Sequence, residues 1–313
     1  MTARPVLIIG FRRLPPLQRV MAAVREEHPG EIYLFIDGAR PTTDGGPDPK
    51  SREVQAWASA WAGEDPRHRL RIEPSNRGIS YGVPTAIEWV LGEGHDALIV
   101  LEDDCLPSPD FFPWMQEMLS SYAHDPRVMM ISGDRFVDTT APSESEASYY
   151  FSRLTATWGW GTWARAWSAY RPALDDILAG SNVSEVAGAL VTRAQQRRWV
   201  RTWTRQQHDL DHATWDSVWF FAMTGRGGLC AVPGRNLVRN IGWGKDASNT
   251  FVTFRFAIRP RQSLAFPIRH PEHVVAWSAG DEQYFNRMHS QHPWRLLLRV
   301  LSIVRPDSLT DEL

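Results

Sequence analysis

Residues 5–10 (PVLIIG) form a short apolar run rich in β-branched side chains, the pattern of a buried strand. Pro15 and Pro16 then open a segment in which Leu17, Val20, Met21 and Val24 recur at helical spacing, with Gly30 just beyond its end. The next strand is predicted over 31–36 (EIYLFI), stopping on Asp37-Gly38, and residues 41–49 (PTTDGGPDP) read as a turn-rich loop. A helix through Ala56, Trp57 and Trp61, a strand over 70–72, a helix over 84–91 and a strand over 97–101 continue the series. This alternation of strand and helix predicts a mostly parallel sheet with right-handed crossovers and helices on both faces.

Polar residues gather where the predicted strands end: Arg12 and Arg13, Asp37, Asn76 and Arg77, then Glu102-Asp103-Asp104. Open α/β sheets bind ligands beyond the carboxyl ends of their strands, so this placement marks a candidate site. After residue 133 the alternation breaks down. Residues 139–148 are loop-like and acidic, Thr157-Trp-Gly-Trp-Gly-Thr-Trp163 is dense in aromatic rings, and residues 229–232 read as a strand. With no internal repeat and no Pro/Ser-rich linker, one domain with an asymmetric second half is expected.

Composition narrows the function classes. A formal net charge of −2 over 313 residues gives no electrostatic case for a nucleic-acid partner. Two cysteines, Cys105 and Cys230, rule out a disulfide scaffold. No apolar stretch approaches the roughly 20 residues of a membrane span, and the N-terminus runs straight into a strand-like segment without a signal-peptide pattern. A cytoplasmic protein is the expectation. Fifteen tryptophans is a heavy aromatic load, and 32 of the 34 basic residues are arginine, with lysine only at 50 and 245.

The strongest chemical signal is Glu102-Asp103-Asp104 after an apolar strand. Three adjacent carboxylates are costly unless a positive charge sits among them. A hard divalent ion, Mn(II) or Mg(II), takes oxygen ligands from one or two carboxylates and the remainder from phosphates and water. A helix is predicted to resume at once, with Ser108 as N-cap and Pro109 in its first turn.

Residues 100–112 (VLEDDCLPSPDFF) resemble the metal-binding segment of GT-A-fold glycosyltransferases, most closely the inverting group typified by N-acetylglucosaminyltransferase I and its bacterial relatives. Phe11, Arg12 and Arg13 resemble that family's Phe-Asn-Arg after the first strand, with Arg12 in place of asparagine. Ile36-Asp37-Gly38, Asn76-Arg-Gly78, Thr214-Trp-Asp-Ser-Val-Trp219 and residues 236–244 (NLVRNIGWG) resemble further family segments in the same order. The resemblance implies a GT-A-like α/β fold: a mostly parallel Rossmann-type sheet with helices on both faces and a mixed acceptor-binding second half. It implies metal-dependent, inverting transfer of a sugar, N-acetylglucosamine or a related hexose, from a UDP-linked donor to a hydroxyl acceptor. Asp104 would bind the metal, Asp103 the ribose and Asp37 the base, and Asp216 would be the catalytic base. Phe11, Arg13 and Asn76 would complete the donor site. The family's Thr-His-Thr after this loop is absent here, Asn249 standing where a histidine is usual.

Other residues have competing readings. Trp158, Trp160 and Trp163 can stack on a sugar or fill a core, Trp160 being best placed to face a ligand. Lys245, in a glycine-flanked loop, can reach a diphosphate on loop closure. His208 and His212 share a helix face but lack metalloprotease spacing. Cys105 suits a small buried residue. The cationic, amphipathic stretch 294–304 suits either packing on a partner or peripheral contact with a membrane surface.

The expected organisation is a nucleotide-sugar half over 1–133, an acceptor and base half over 134–270, and a C-terminal extension over 271–313. The acceptor itself is read only as a saccharide or small hydroxyl compound. Two rivals use related chemistry. A sugar-phosphate nucleotidyltransferase needs a Gly-rich loop and a nearby lysine, which residues 7–14 lack. A non-catalytic nucleotide- or glycan-binding module has no use for both the acidic triplet and Asp216.

Overall fold

The structure is a computed structural model describing residues 3–28, 30–138, 141, 147–207, 214–242 and 259–289. The first half runs β1 (Val6–Gly10), α1 (Leu14–Glu27), β2 (Ile32–Ile36), α2 (Pro49–Ala62), β3 (His68–Ile72), α3 (Ile79–Gly92) and β4 (Ala97–Glu102). Next come β5 (Cys105–Pro107), α4 (Phe111–Ser121), β6 (Val128–Ser132), β7 (Tyr149–Ser152), β8 (Trp160–Trp163), α5 (Ala164–Trp167), α6 (Tyr170–Ala179) and α7 (Val183–Gly188). The remaining elements are α8 (Arg193–Gln206), α9 (Trp215–Gly225), β9 (Leu229–Pro233), β10 (Val238–Asn240) and α10 (Ser278–His289).

Eight strands make one sheet in the order β3-β2-β1-β4-β8-β6-β9-β7. The four strands of the first half are parallel throughout, as the alternation predicts. The second half is mixed: β8 is antiparallel to both β4 and β6, β6 and β9 are parallel, and β7 closes the edge antiparallel to β9. The fold is therefore α/β with a largely parallel sheet, and the sheet is continuous across residue 133.

The burial pattern explains the parallel part. All five residues of β2 are buried, the signature of a strand covered on both faces. Leu17, Val20, Met21 and Val24 of α1 are the buried stripe that the helical spacing anticipates.

Two helix boundaries differ from expectation. Helix α3 begins at Ile79, five residues ahead of Pro84. Gly78, at φ +76°, turns the chain, and its carbonyl accepts from the Tyr81 and Gly82 N–H groups, so the proline removes a single backbone bond from an already anchored turn. Helix α4 begins at Phe111, and Ser108 is not its cap. Ser108 lies on the strand-like connection, and the carboxylate of Asp110 accepts the N–H of Leu264 instead (2.9 Å), fastening the later chain to this helix. The small β5–β10 ribbon, unpredicted by the periodicity, brings residues 238–240 beside the acidic triplet.

Candidate functional site

The carboxyl ends of β1, β2 and β4 open into a cleft of about 150 Å³. Phe11, Phe35 and Val83 give it apolar walls, and Arg13, Asp37, Asn76, Glu102 and Asp103 supply its polar groups. The guanidinium of Arg40 lies over the Phe11 ring, 5.3 Å from its centroid.

The positive charge that the triplet requires is Arg13. Its guanidinium pairs with Asp103 and, at 2.8 Å, with Asp104. Burial opposes its charge, but the two carboxylates outweigh that and hold its pKa above the ordinary arginine value. One arginine does not neutralise three acids. Burial, reinforced by Asp104, Asp103 and Asp216, pushes Glu102 up to about 8. Burial also carries Asp103 to about 7 against the pull of Arg13. The cluster is short of positive charge.

Chain geometry builds this cluster tightly. The N–H of Ile241 donates to the carbonyl of Asp104 (2.8 Å), which sets residue 242 against the triplet. A Cβ on Gly242 would stand 2.1 Å from an Asp104 carboxylate oxygen, so only glycine allows the approach.

Asp37 lines the cleft, and its carboxylate is engaged within the protein. Its two oxygens accept from the Asn76 amide (2.7 Å) and from the backbone N–H groups of Gly38 (2.8 Å), Arg77 (3.0 Å) and Gly78 (3.0 Å). Four donors fill the four lone-pair positions of a carboxylate. Asp37 and Asn76 therefore lock the loop after β3 onto the end of β2. Gly38 makes that docking possible, since a Cβ there would meet the Ser75 carbonyl carbon at 2.1 Å. Asn76 has a second partner in Arg40, at 3.2 Å.

Asp216 sits exposed in the first turn of α9, between buried Trp215 and Trp219. Its charge is felt at Glu102 and at Tyr170, so the first acid of the triplet lies within its electrostatic reach. Arg13, Asp103 and Asp104, read from separate stretches of sequence, are brought into direct contact, while Asp216 stands apart from them on α9.

Trp160 corrects the expectation of a ligand-facing ring. It is 1% exposed, stacked on Trp215 (5.4 Å, 14°) and packed near Trp167 and Trp219. It belongs to the core because β8 is an interior strand, covered by α9. Trp163 is buried as well, its indole N–H donating to the Leu119 carbonyl (3.0 Å). Trp158 is the partly exposed member of the three. Both cysteines are buried and free, and burial pushes each thiol well up, which removes them as nucleophiles. Lys245, Asn249, His208, His212 and residues 294–304 lie outside the described residues.

Three groups went unassigned in the sequence. Glu102, the first acid of the triplet, lines the cleft, and its position next to two named acids was the available signal. Arg40 has no local signal, since only tertiary packing sets it over Phe11. Asp134 is 1% exposed beyond β6, and burial pushes it up to about 7. Its Ser132 partner donates at 2.5 Å, while Oδ2 has no partner.

No protein-family model matches the chain, and no curated protein matches it either. Among solved structures it is similar to a mannose-1-phosphate geranyltransferase from Thermus thermophilus (14% identity, 74% of each chain, TM-score 0.36). It is also similar to the glycosyltransferase GlyE of Streptococcus pneumoniae (12% identity, 72% of this chain and 44% of that one, TM-score 0.35). A third is S. aureus TarS 1-349 (8% identity, 75% of this chain and 59% of that one, TM-score 0.40). The chain thus spans about half the length of the latter two. At these identities and TM-scores none of them assigns a role to a residue here. No helix among the described residues is long and apolar enough to cross a membrane.

Proposed function

We infer that the cleft binds a nucleotide-diphospho-sugar, UDP-linked, and that the chain is a metal-dependent inverting glycosyltransferase acting on a hydroxyl acceptor. The observation that carries this reading is the charge-deficient carboxylate cluster at the end of β4, held by Arg13 beside a cleft with apolar walls, with a separate carboxylate, Asp216, within electrostatic reach of Glu102. An apolar wall for a base, acids for a ribose and a cation, and a second acid across the space are what sugar transfer from a nucleotide donor requires.

The donor set suits a substrate-dependent ion. Among the described residues no group of three His, Cys, Asp or Glu is arranged to hold a metal. Mn(II) or Mg(II) needs only one or two carboxylates when phosphate and water oxygens complete its shell. Asp104 would hold it, and the bound ion would offset charge on the departing diphosphate. Asp103, already fixed by Arg13, would take the ribose hydroxyls. Arg13, released from Asp104 when a cation takes its place, would turn its remaining donors to the phosphates. Phe11 and Arg40 would flank the base, with Asp37 and Asn76 holding the loop that shapes its pocket. Asp216 would accept the proton of the attacking hydroxyl, since Asp103 and Asp104 stand on the diphosphate side. The transferred sugar is a hexose or N-acetylhexosamine under this reading, and Lys245 is a further phosphate contact.

Titration of UDP into the full chain with and without Mn(II) tests the donor site. The expected result is binding that tightens with Mn(II) in the wild type and loses that increment in Asp104→Ala. Equal affinity with and without the ion overturns the metal assignment, and absence of UDP binding overturns the donor assignment.

A further inference from the structure

Helix α8 carries a charge pattern that the donor chemistry leaves unused. Its sequence, RAQQRRWVRTWTRQ, contains five arginines and no acid, in a chain whose net charge is −2. At 100° per residue, Arg193, Arg197, Arg198, Arg201 and Arg205 fall within one arc of about 140°. All five are exposed, and among the described residues none has an ion-pair or side-chain hydrogen-bond partner.

Such a stripe opposes helix stability. Arg193/Arg197, Arg197/Arg201 and Arg201/Arg205 are like-charge pairs at i,i+4, each unfavourable by roughly 0.2–0.5 kcal/mol. Arg193, in the first turn, also faces the positive end of the helix dipole. The inner face compensates. A Thr192–Gln195 capping box starts the helix, and Trp199 and Trp203 pack on Phe220 of α9, with ring centroids 4.5 and 5.9 Å apart. The Trp203 indole N–H donates to the Ser217 carbonyl (3.1 Å), and the Ser217 hydroxyl donates to Gln206 (3.1 Å). Ser217 follows Asp216. The C-terminal end of α8 is therefore clamped through its inner face to the turn that bears the candidate base, with the arginine stripe on its outer face.

We propose that α8 is the acceptor track of the site proposed above: a linear glycan carrying negative charge on successive units lies along Arg193, Arg197, Arg201 and Arg205 and delivers its hydroxyl to Asp216. This rests on the transferase reading and adds the acceptor class to it. Successive arginines advance about 6 Å along the axis and the row spans about 18 Å, a spacing that serves one anion per sugar unit. A guanidinium binds carboxylate, sulfate or phosphate through paired N–H groups. A flat membrane is the poorer partner, since the outer arc presents only arginines, Ala194 and Thr204, with no aromatic or large aliphatic group to insert.

The test uses the full chain with an oligogalacturonide, a heparin oligosaccharide and a neutral malto-oligosaccharide of equal length. Arg197→Gln/Arg201→Gln is compared with a charge-matched control, Arg19→Gln/Arg52→Gln, at exposed positions of α1 and α2. The expected result is wild-type and control binding of the anionic oligosaccharides, weakened by salt, an affinity loss of about tenfold or more in the α8 variant, and no binding of the neutral one. Failure of the wild type to bind either anionic probe overturns the proposal, as does equal affinity in the α8 variant. Capture by anionic phospholipid vesicles or by single-stranded polynucleotide that the oligosaccharides do not compete away also overturns it. UDP affinity, measured in parallel, reports on the donor cleft alone. A wild type that binds oligogalacturonide but not UDP overturns the transferase reading and leaves the stripe standing as a glycan site.

Discussion

Beyond β1, β2 and β4 the polar residues stand at strand ends around a cleft, whereas between β8 and α9 the large aromatic rings turn inward and stack on one another. In the first region topology places the chemistry: parallel strands all finish on one edge, so Arg13, Asp37 and Asp103 arrive there together. In the second region packing places it. Trp160, Trp167, Trp215 and Trp219 form a packed layer, and that layer fixes the first turn of α9, which carries Asp216. A strand end presents a functional group directly, while an aromatic floor presents one only through what it supports.

Breaking the supported group is expected to have the largest effect. Asp216→Asn should lower kcat by about 10²–10⁴, the range for loss of a general base, with UDP affinity and its response to Mn(II) close to wild type. Near-full turnover in steady-state assays would remove Asp216 from the mechanism.

Breaking the support comes next. Trp160→Ala should destabilise the fold by about 3–5 kcal/mol in chemical denaturation, the range for truncating a buried large aromatic. UDP affinity should persist in the folded fraction. A variant of unchanged stability but raised acceptor KM would show instead that this indole touches a ligand.

A smaller change sharpens the strand-end side. Asp37→Asn keeps the side-chain shape but turns an NH₂ group toward backbone donors, leaving at least one of them unmatched at a cost of about 1–3 kcal/mol. Melting temperature and UDP affinity should fall together, because the carboxylate orders the loop. If UDP binding is lost while stability holds, the carboxylate meets the base itself.

Away from both regions, two buried groups should give pH slopes of opposite sign. Burial, with Arg67 nearby, pushes His28 down to about 4. Between pH about 6.5 and 4 the unfolded chain binds a proton there that the native chain does not, so stability is lost as pH falls through this window. Burial pushes Asp134 up to about 7. Between pH about 4 and 7 the native chain keeps a proton there that the unfolded chain has released, so stability falls as pH rises. Equilibrium unfolding across pH 4–8 should show His28→Gln removing the first slope and Asp134→Asn the second. Unchanged profiles would mean that neither group titrates differently in the native and unfolded chains.

The alternating first half was legible because its signals are local. A continuous apolar run such as 32–36 can be little else than a buried strand, and an acid placed directly after one must stand at a strand end. The pairing of β8 between β4 and β6 was not legible, because Trp-Gly-Trp-Gly-Thr-Trp has no clear period and its partners lie tens of residues away. The same limit explains Trp160, whose side chain suits a sugar or a core equally until its neighbours are known.

Sequence alone determined the α/β alternation and the acids at the end of β4, since each depends on residues within a few positions of one another. Tertiary structure alone decided that Arg13 answers Asp103 and Asp104, that Asp37 spends its lone pairs on its own loop, and that α8 ends against the turn holding Asp216. Those are contacts between distant stretches, and their partners are chosen by burial: a charge or polar group removed from water must find its complement in whatever the fold brings beside it.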